Sequence, residues 1–156
     1  MKKIDSLLNE YGESHKNKTN KLIHWICVPA IFFSIVGLIW SIPNGPLDFF
    51  KTPYINWATI TLVLVLLYYC SLSILLTFGM LIFSSACIYL ANYLNDFPET
   101  PLWLISLIVF IVAWIFQFIG HNIEGKKPSF LKDIQFLLIG PAWLMHFIYK
   151  KLNIPY

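Results

Sequence analysis

KTPYINWATITLVLVLLYYCSLSILLTFGMLIFSSACIYLANYLND, Lys51 to Asp96, carries no charged residue between its two ends. Coiled as one α-helix, a run this long is roughly twice the thickness of a bilayer's hydrocarbon core, which about 20 helical residues cross. It must therefore fold back once. The expected reversal is around Tyr69-Cys70-Ser71-Leu72-Ser73, which gives spans at residues 54–69 and 74–94. With no water in the hydrocarbon core to satisfy backbone amides, such spans are helices.

The same length criterion, applied outward, sets the rest of the architecture. Residues 21–42 form a span that ends at the turn cluster Pro43-Asn44-Gly45-Pro46, and residues 102–120 form another after Asn95-Asp96-Phe97-Pro98-Glu99-Thr100-Pro101. A fifth apolar segment, residues 130–149, is interrupted by Lys132, Asp133, Gln135, Gly140-Pro141 and His146. It reads either as a kinked span or as a re-entrant segment broken at Gly140-Pro141. Residues 1–20 make an interfacial helix and turn, with Ile4, Leu7, Leu8 and Tyr11 on one face. The fold class is thus an all-α polytopic membrane bundle in one domain, residues 1–156, with four spans, the fifth segment and the N-terminal amphipathic helix.

Composition agrees: 58% of the 156 residues are hydrophobic and 12% charged, which water-soluble domains do not combine. The polar start MKKIDSLLNE is not a cleavable leader by pattern, so the first span is expected to remain. All basic residues are lysines, and a formal charge of +3 spread along the chain argues against nucleic-acid binding. Cys27, Cys70 and Cys87 lie singly in apolar runs, without metal-site spacing, and read as packing residues. Lys2, Lys3, Lys16, Lys18, Lys21, Lys126, Lys127 and Lys132 fall on one side of the bundle, with Asp48, Lys51, Asp96 and Glu99 on the other. The positive-inside rule then puts the N-terminus in the cytoplasm. The expected membrane is the bacterial inner membrane, or the endoplasmic reticulum in a eukaryote.

An even number of spans returns His121, at the end of the fourth, to the face where His15 and His24 begin the first. His15 and His24 are nine residues apart and would oppose each other on one helix, so a break between them is required. Asn17-Lys18-Thr19-Asn20 supplies it, with Asn20 as the expected N-cap of a helix from Lys21. His121 and Glu124 are three residues apart and share a face if the helix persists. Neutral imidazoles with a carboxylate, around a cavity with open coordination positions, suit iron(II) and other borderline divalent metals. Set against this, interfacial histidines are often only polar residues among headgroups. His146 reaches the group only if the fifth segment re-enters, and all four histidines of the chain would then converge.

The stretch YGESHKNKTNKLIHWICVP fits a Tyr-x3-His-x4-Asn-x3-His-x4-Pro pattern from Tyr11 to Pro29, and WIFQFIGHNIEGKKPSFLKD carries Gln117, Gly120, His121, Glu124, Gly125 and Pro128. On these paired motifs the chain resembles the membrane family of 2-hydroxy fatty acid dioxygenases, typified by a fungal endoplasmic-reticulum enzyme of α-oxidation. The resemblance implies Fe(2+) as cofactor, with dioxygen and a long-chain 2-hydroxy fatty acid as partners in the lipid phase. The product is an acid one carbon shorter. It also implies His15, His24 and His121 as metal ligands, with His146 a fourth candidate. Lys21 or Asn20 is expected to orient the substrate carboxylate, Tyr11 to support the ligands from four residues before His15, and Glu124 either to bind the ion or to support a residue that does. The alternative is a non-catalytic membrane protein that binds lipid or assists its transport, with pH-sensing interfacial histidines. The four-histidine content and the absence of HxxxH or HxxHH clusters argue against a di-iron hydroxylase or desaturase. Oligomeric state is left open.

Overall fold

A computed structural model describes residues 3–97, 99–125 and 130–155, excluding the side chains of residues 130–134. Lys2, Lys126, Lys127, Pro128 and the side chain of Lys132, used above for orientation and motif, lie outside the described residues. Among the described residues the chain forms six α-helices: α1 (Lys3–Gly12), α2 (Lys18–Trp40), α3 (Trp57–Leu72), α4 (Ile74–Asn95), α5 (Leu102–Glu124) and α6 (Phe130–Lys151). A short 3-10 segment, Gly45–Phe50, joins α2 to α3. Helices α2, α4 and α5 are long and apolar enough to cross a membrane, while α3, at 16 residues, is a shorter apolar helix.

The reversal inside the charge-free run takes a single residue. Ser73, extended at φ −164° and ψ 118°, ends α3 and starts α4, and its side chain accepts from the Leu76 amide at 3.3 Å. No glycine is needed, because an extended residue with a capping hydroxyl both breaks the helix and satisfies a freed donor. At the far end of α5 the helix continues through Gly120. It stops at Gly125, whose φ of +72° suits a residue without a Cβ and whose amide donates back to Asn122 and His121 carbonyls.

The first span starts earlier than the sequence spacing predicts. Asn17, not Asn20, is the N-cap, accepting from the amides of Thr19 at 2.8 Å and Asn20 at 3.3 Å. Either asparagine is chemically competent as a cap. The choice falls to Asn17 because Asn20 is needed inside the protein, where it is fully buried.

Antiparallel α2 and α5 form the most extensive helix pair. They approach closely where Gly37 of α2 lies directly against the Ser106 hydroxyl and where Gly120 of α5 lies directly against the Asn20 amide oxygen. Small residues let backbones approach when lipid gives no hydrophobic drive to helix association.

Helix α6 is one continuous helix through Gly140 and Pro141, so the chain break that a re-entrant hairpin requires is not there. The Tyr69 hydroxyl at the end of α3 donates to the Leu138 carbonyl, and Gly140 packs against Tyr11 and Val28. The Tyr149 hydroxyl donates to the Leu75 carbonyl at 2.8 Å and accepts from the Gly79 amide at 3.0 Å, near the start of α4. Helix α6 therefore packs against α1, α2, the end of α3 and the start of α4. The apolar stripe of α1, Ile4, Leu7, Leu8 and Tyr11, is buried against α6 residues Ile139, Ala142 and Trp143 and against Tyr69, Leu72 and Leu76, rather than resting on lipid alone.

Gly37→Ala is expected to lower the thermal midpoint in detergent by several degrees. Its methyl group overlaps the Ser106 hydroxyl, an overpacking cost of about 1–3 kcal/mol that exceeds the helix-propensity gain. Adding Ser106→Gly should recover most of the loss, and an unchanged midpoint for Gly37→Ala alone would contradict the close packing.

Candidate metal centre

Helix α1 ends at Gly12, and the turn that follows carries His15 into the interior with its amide donating to the Gly12 carbonyl at 3.0 Å. His24 arrives one turn after Asn20 on α2, and His121 sits one turn before the end of α5. His15 and His24 are 3% and 1% exposed, and His121 is half-buried. Ring centroids are 4.1 Å apart for His15 and His24, 5.1 Å for His24 and His121, and 5.5 Å for His15 and His121. One ring nitrogen from each lies within 4.8 Å of the others.

Hydrogen bonds set which nitrogens are offered. His15 Nδ1 is 2.6 Å from the Tyr11 carbonyl, and His24 Nδ1 is 2.9 Å from the Asn20 carbonyl. A carbonyl only accepts, so each Nδ1 carries the proton and each Nε2 keeps its lone pair. Burial, the largest influence, holds the His15 imidazole down at about 4, against the pull of the Tyr11 carbonyl, so the ring is neutral at physiological pH. His15 Nε2 and His121 Nδ1 are buried without a hydrogen-bond partner. Orphaned buried acceptors are costly, and a cation taking their lone pairs removes the cost. Neutral imidazoles oriented by backbone carbonyls are a donor set suited to a borderline divalent ion.

Glu124 is engaged elsewhere. Its carboxylate accepts from the amides of Lys16 and Asn17, both at 2.9 Å, and from the Asn20 side-chain amide at 3.1 Å. It thus ties the end of α5 to the turn bearing His15 and acts as a second cap on α2. Asn20 donates its other amide hydrogen to the Ser14 carbonyl at 3.0 Å, so both its donors are used within the protein. Lys21 is half-buried and close enough to His15 for its charge to act on that ring. Tyr11 stacks flat on His15, with centroids 4.3 Å apart and an interplanar angle of 11°, and its carbonyl accepts from the ring's Nδ1.

His146 does not join the three-histidine group; the charged residues that act on it are Asp5 and Lys150. Because α6 is unbroken at Gly140-Pro141, no hairpin turns His146 toward the others. Two residues without an assigned role in the sequence reading border the site. Trp143 of α6 is buried with its ring 5.3 Å from both His15 and Tyr11. Gln117, one turn before His121, is buried on the same face of α5. For Gln117 the signal was present as the one amide in the apolar part of α5; for Trp143 no local pattern predicts the docking of α6.

Residues 1–152 match the family described as 2-hydroxy-palmitic acid dioxygenase Mpo1-like. The chain belongs to the Mpo1-like family. Among its relatives, this Mpo1-like chain is similar to the 2-hydroxy-palmitic acid dioxygenase MPO1 of Saccharomyces cerevisiae, with 30% identity over 151 residues covering 94% of this chain and 80% of the relative. No solved structure matches the Mpo1-like chain.

Glu124→Gln should loosen the turn that presents His15, since an amide offers one acceptor to donors that now share two oxygens. The expected result is at least tenfold weaker cobalt(II) binding, read from visible absorption, and about 1–3 kcal/mol lower stability. Unaltered cobalt affinity would show that the turn stands without the carboxylate.

Proposed function

We propose that this protein is an iron(II)-dependent oxygenase that shortens long-chain 2-hydroxy fatty acids by one carbon. The observation that carries the reading is the group of three imidazoles, two of them with a buried nitrogen that has no hydrogen-bond partner, at one end of an apolar bundle, in a chain similar to a 2-hydroxy-palmitic acid dioxygenase.

The stoichiometry is self-contained. If the carboxyl carbon leaves as carbon dioxide, converting R-CH(OH)-COOH to R-COOH removes four electrons. One dioxygen accepts four, with water as the other product, so no external reductant is required. Iron(II) held by His15, His24 and His121 supplies the means to activate dioxygen and to chelate a hydroxyl and carboxylate together.

The remaining work falls to this chain's own side chains. Lys21 is the residue proposed to hold the substrate carboxylate, since a half-buried ammonium three residues before His24 has charge to offer, whereas both Asn20 donors are already used. His15 and His24 keep the proton on Nδ1, donating it to the Tyr11 and Asn20 carbonyls, which leaves each Nε2 unprotonated. Tyr11 and Trp143 wall one side of His15 and exclude water there. The alkyl chain follows the apolar faces of the bundle into the lipid. Exposed Lys16, Lys18, Lys150 and Lys151 with half-buried Lys21 favour the cytoplasmic side for the histidine-bearing end.

Protein purified in detergent, loaded anaerobically with iron(II) and given 2-hydroxyhexadecanoate, is expected to consume dioxygen and release pentadecanoate in equal amounts without added reductant. His121→Ala should lower the rate by at least about a hundredfold, as for loss of one of three ligands. No uptake by fully loaded wild-type protein would contradict the reading and favour a lipid-binding role.

A further inference from the structure

The Tyr149 hydroxyl of α6 meets the backbone of α4 and has no part in the reaction above. It donates to the Leu75 carbonyl at 2.8 Å and accepts from the Gly79 amide at 3.0 Å. Leu75 and Gly79 are four residues apart, so these are two groups that an α-helix ordinarily pairs with each other. A hydroxyl seated between them reads one rung of the ladder and no other. Gly79 makes room for it, since a Cβ there would come within 2.9 Å of the Tyr149 hydroxyl and 2.7 Å of the Met145 sulfur. Tyr149 is buried where it does so.

The consequence lies six residues back along α6. Trp143 is buried with its ring 5.3 Å from His15, and His15 hangs on a turn rather than a helix. What places Trp143 is therefore the height at which α6 docks. Apolar packing alone tolerates sliding along a neighbouring helix, whereas a satisfied buried hydrogen-bond pair specifies one register. Helix α6 has such a pin on either side of Trp143: the Leu138 carbonyl, which accepts from Tyr69, and the Tyr149 hydroxyl. Pro141 separates the first pin from Trp143. It has no amide to give the Leu137 carbonyl, so that turn of α6 is one bond short. Trp143 and Tyr149 lie together beyond it on the same stretch of helix.

We propose that Tyr149 is a positioning residue of the metal centre: seated between the Leu75 carbonyl and the Gly79 amide, its hydroxyl sets the height of α6 on α4 and so holds Trp143 against His15. The assignment rests on the three-histidine site of the reaction proposed above and adds what keeps the His15 side of that site closed. Its reach is limited to α6. Helices α2 and α5, which carry His24 and His121, are fastened to each other at Glu124 and Gly120 and do not depend on Tyr149. Losing the hydroxyl should therefore move Trp143 and leave the ion in place.

The test uses full-length protein in detergent, labelled with 5-fluorotryptophan, loaded with zinc or with cobalt(II), and read by fluorine NMR. The Trp143 resonance is the one that Trp143→Phe removes, and that of Trp114 is assigned in the same way. Paramagnetic cobalt speeds the relaxation of a fluorine in a manner that falls steeply with distance, so in wild type the Trp143 resonance should relax much faster with cobalt than with zinc. Tyr149→Phe, which keeps the ring and removes the hydroxyl, should lose most of that enhancement, while cobalt stoichiometry and the Trp114 resonance stay at their wild-type values. Gly79→Ala, whose added methyl group meets the rigid Tyr149 ring, should do the same and covers the case in which the phenylalanine variant does not fold. Undiminished relaxation of Trp143 in either variant overturns the assignment, even if the thermal midpoint falls, because Tyr149 would then be a packing residue only. Loss of cobalt from both variants also overturns it, since Tyr149 would then support the site as a whole. Wild type separates the two claims. Cobalt bound with Trp143 unaffected sinks the role of Tyr149 alone, and no cobalt bound sinks the metal centre on which both stand.

Discussion

The contact between the Glu124 carboxylate and the turn before α2 is what the rest of the site depends on. A carboxylate in the last turn of α5 is disfavoured by that helix's own dipole. Here it faces the start of the antiparallel α2, where amides are unpaired and the dipole has the opposite sign, and it takes the amides of Lys16 and Asn17 together with the Asn20 side chain. One residue thereby fixes the relative height of α2 and α5 and the path of the chain between α1 and α2. His15 has no helix of its own to hold it, so it keeps its place only while that turn does.

Around this fastening the site is closed from two directions. Gly120 lets α5 come up against Asn20, which brings His121 opposite His24. From the other side α6 carries Trp143 onto His15, while α1 covers α6 with its apolar stripe. Burial then keeps the His15 imidazole neutral, and backbone carbonyls decide which nitrogen of His15 and of His24 faces inward. The lipid-exposed faces of α4 and α5 are left apolar, so the polar chemistry is concentrated at one end of an otherwise hydrophobic body.

Much of this is legible in the sequence because the bilayer imposes length. The run from Lys51 to Asp96 had to reverse, and counting apolar lengths alone sends His121 back to the face of His15 and His24. What the sequence left ambiguous turns on tertiary partners. Asn17 and Asn20 are equally good caps by local rules, and it is Glu124 and Ser14 that draw Asn20 inside. The fifth segment mixes charge, glycine and proline, so hydropathy could not distinguish a span from a hairpin, and the structure shows one helix unbroken at Gly140-Pro141. His146 followed that uncertainty. Gln117 stood in a recognisable motif, but its burial depends on the rotation of α5 against its neighbours, which no spacing reveals.

X-ray absorption at the iron edge of anaerobically loaded, detergent-solubilised protein tests the central claim most directly. The account predicts about three imidazole groups with nitrogen at roughly 2.1 Å, the usual length of such bonds to a divalent first-row metal, and oxygen ligands completing the shell. A first shell containing sulfur, or imidazole scattering from at most one histidine, would contradict it.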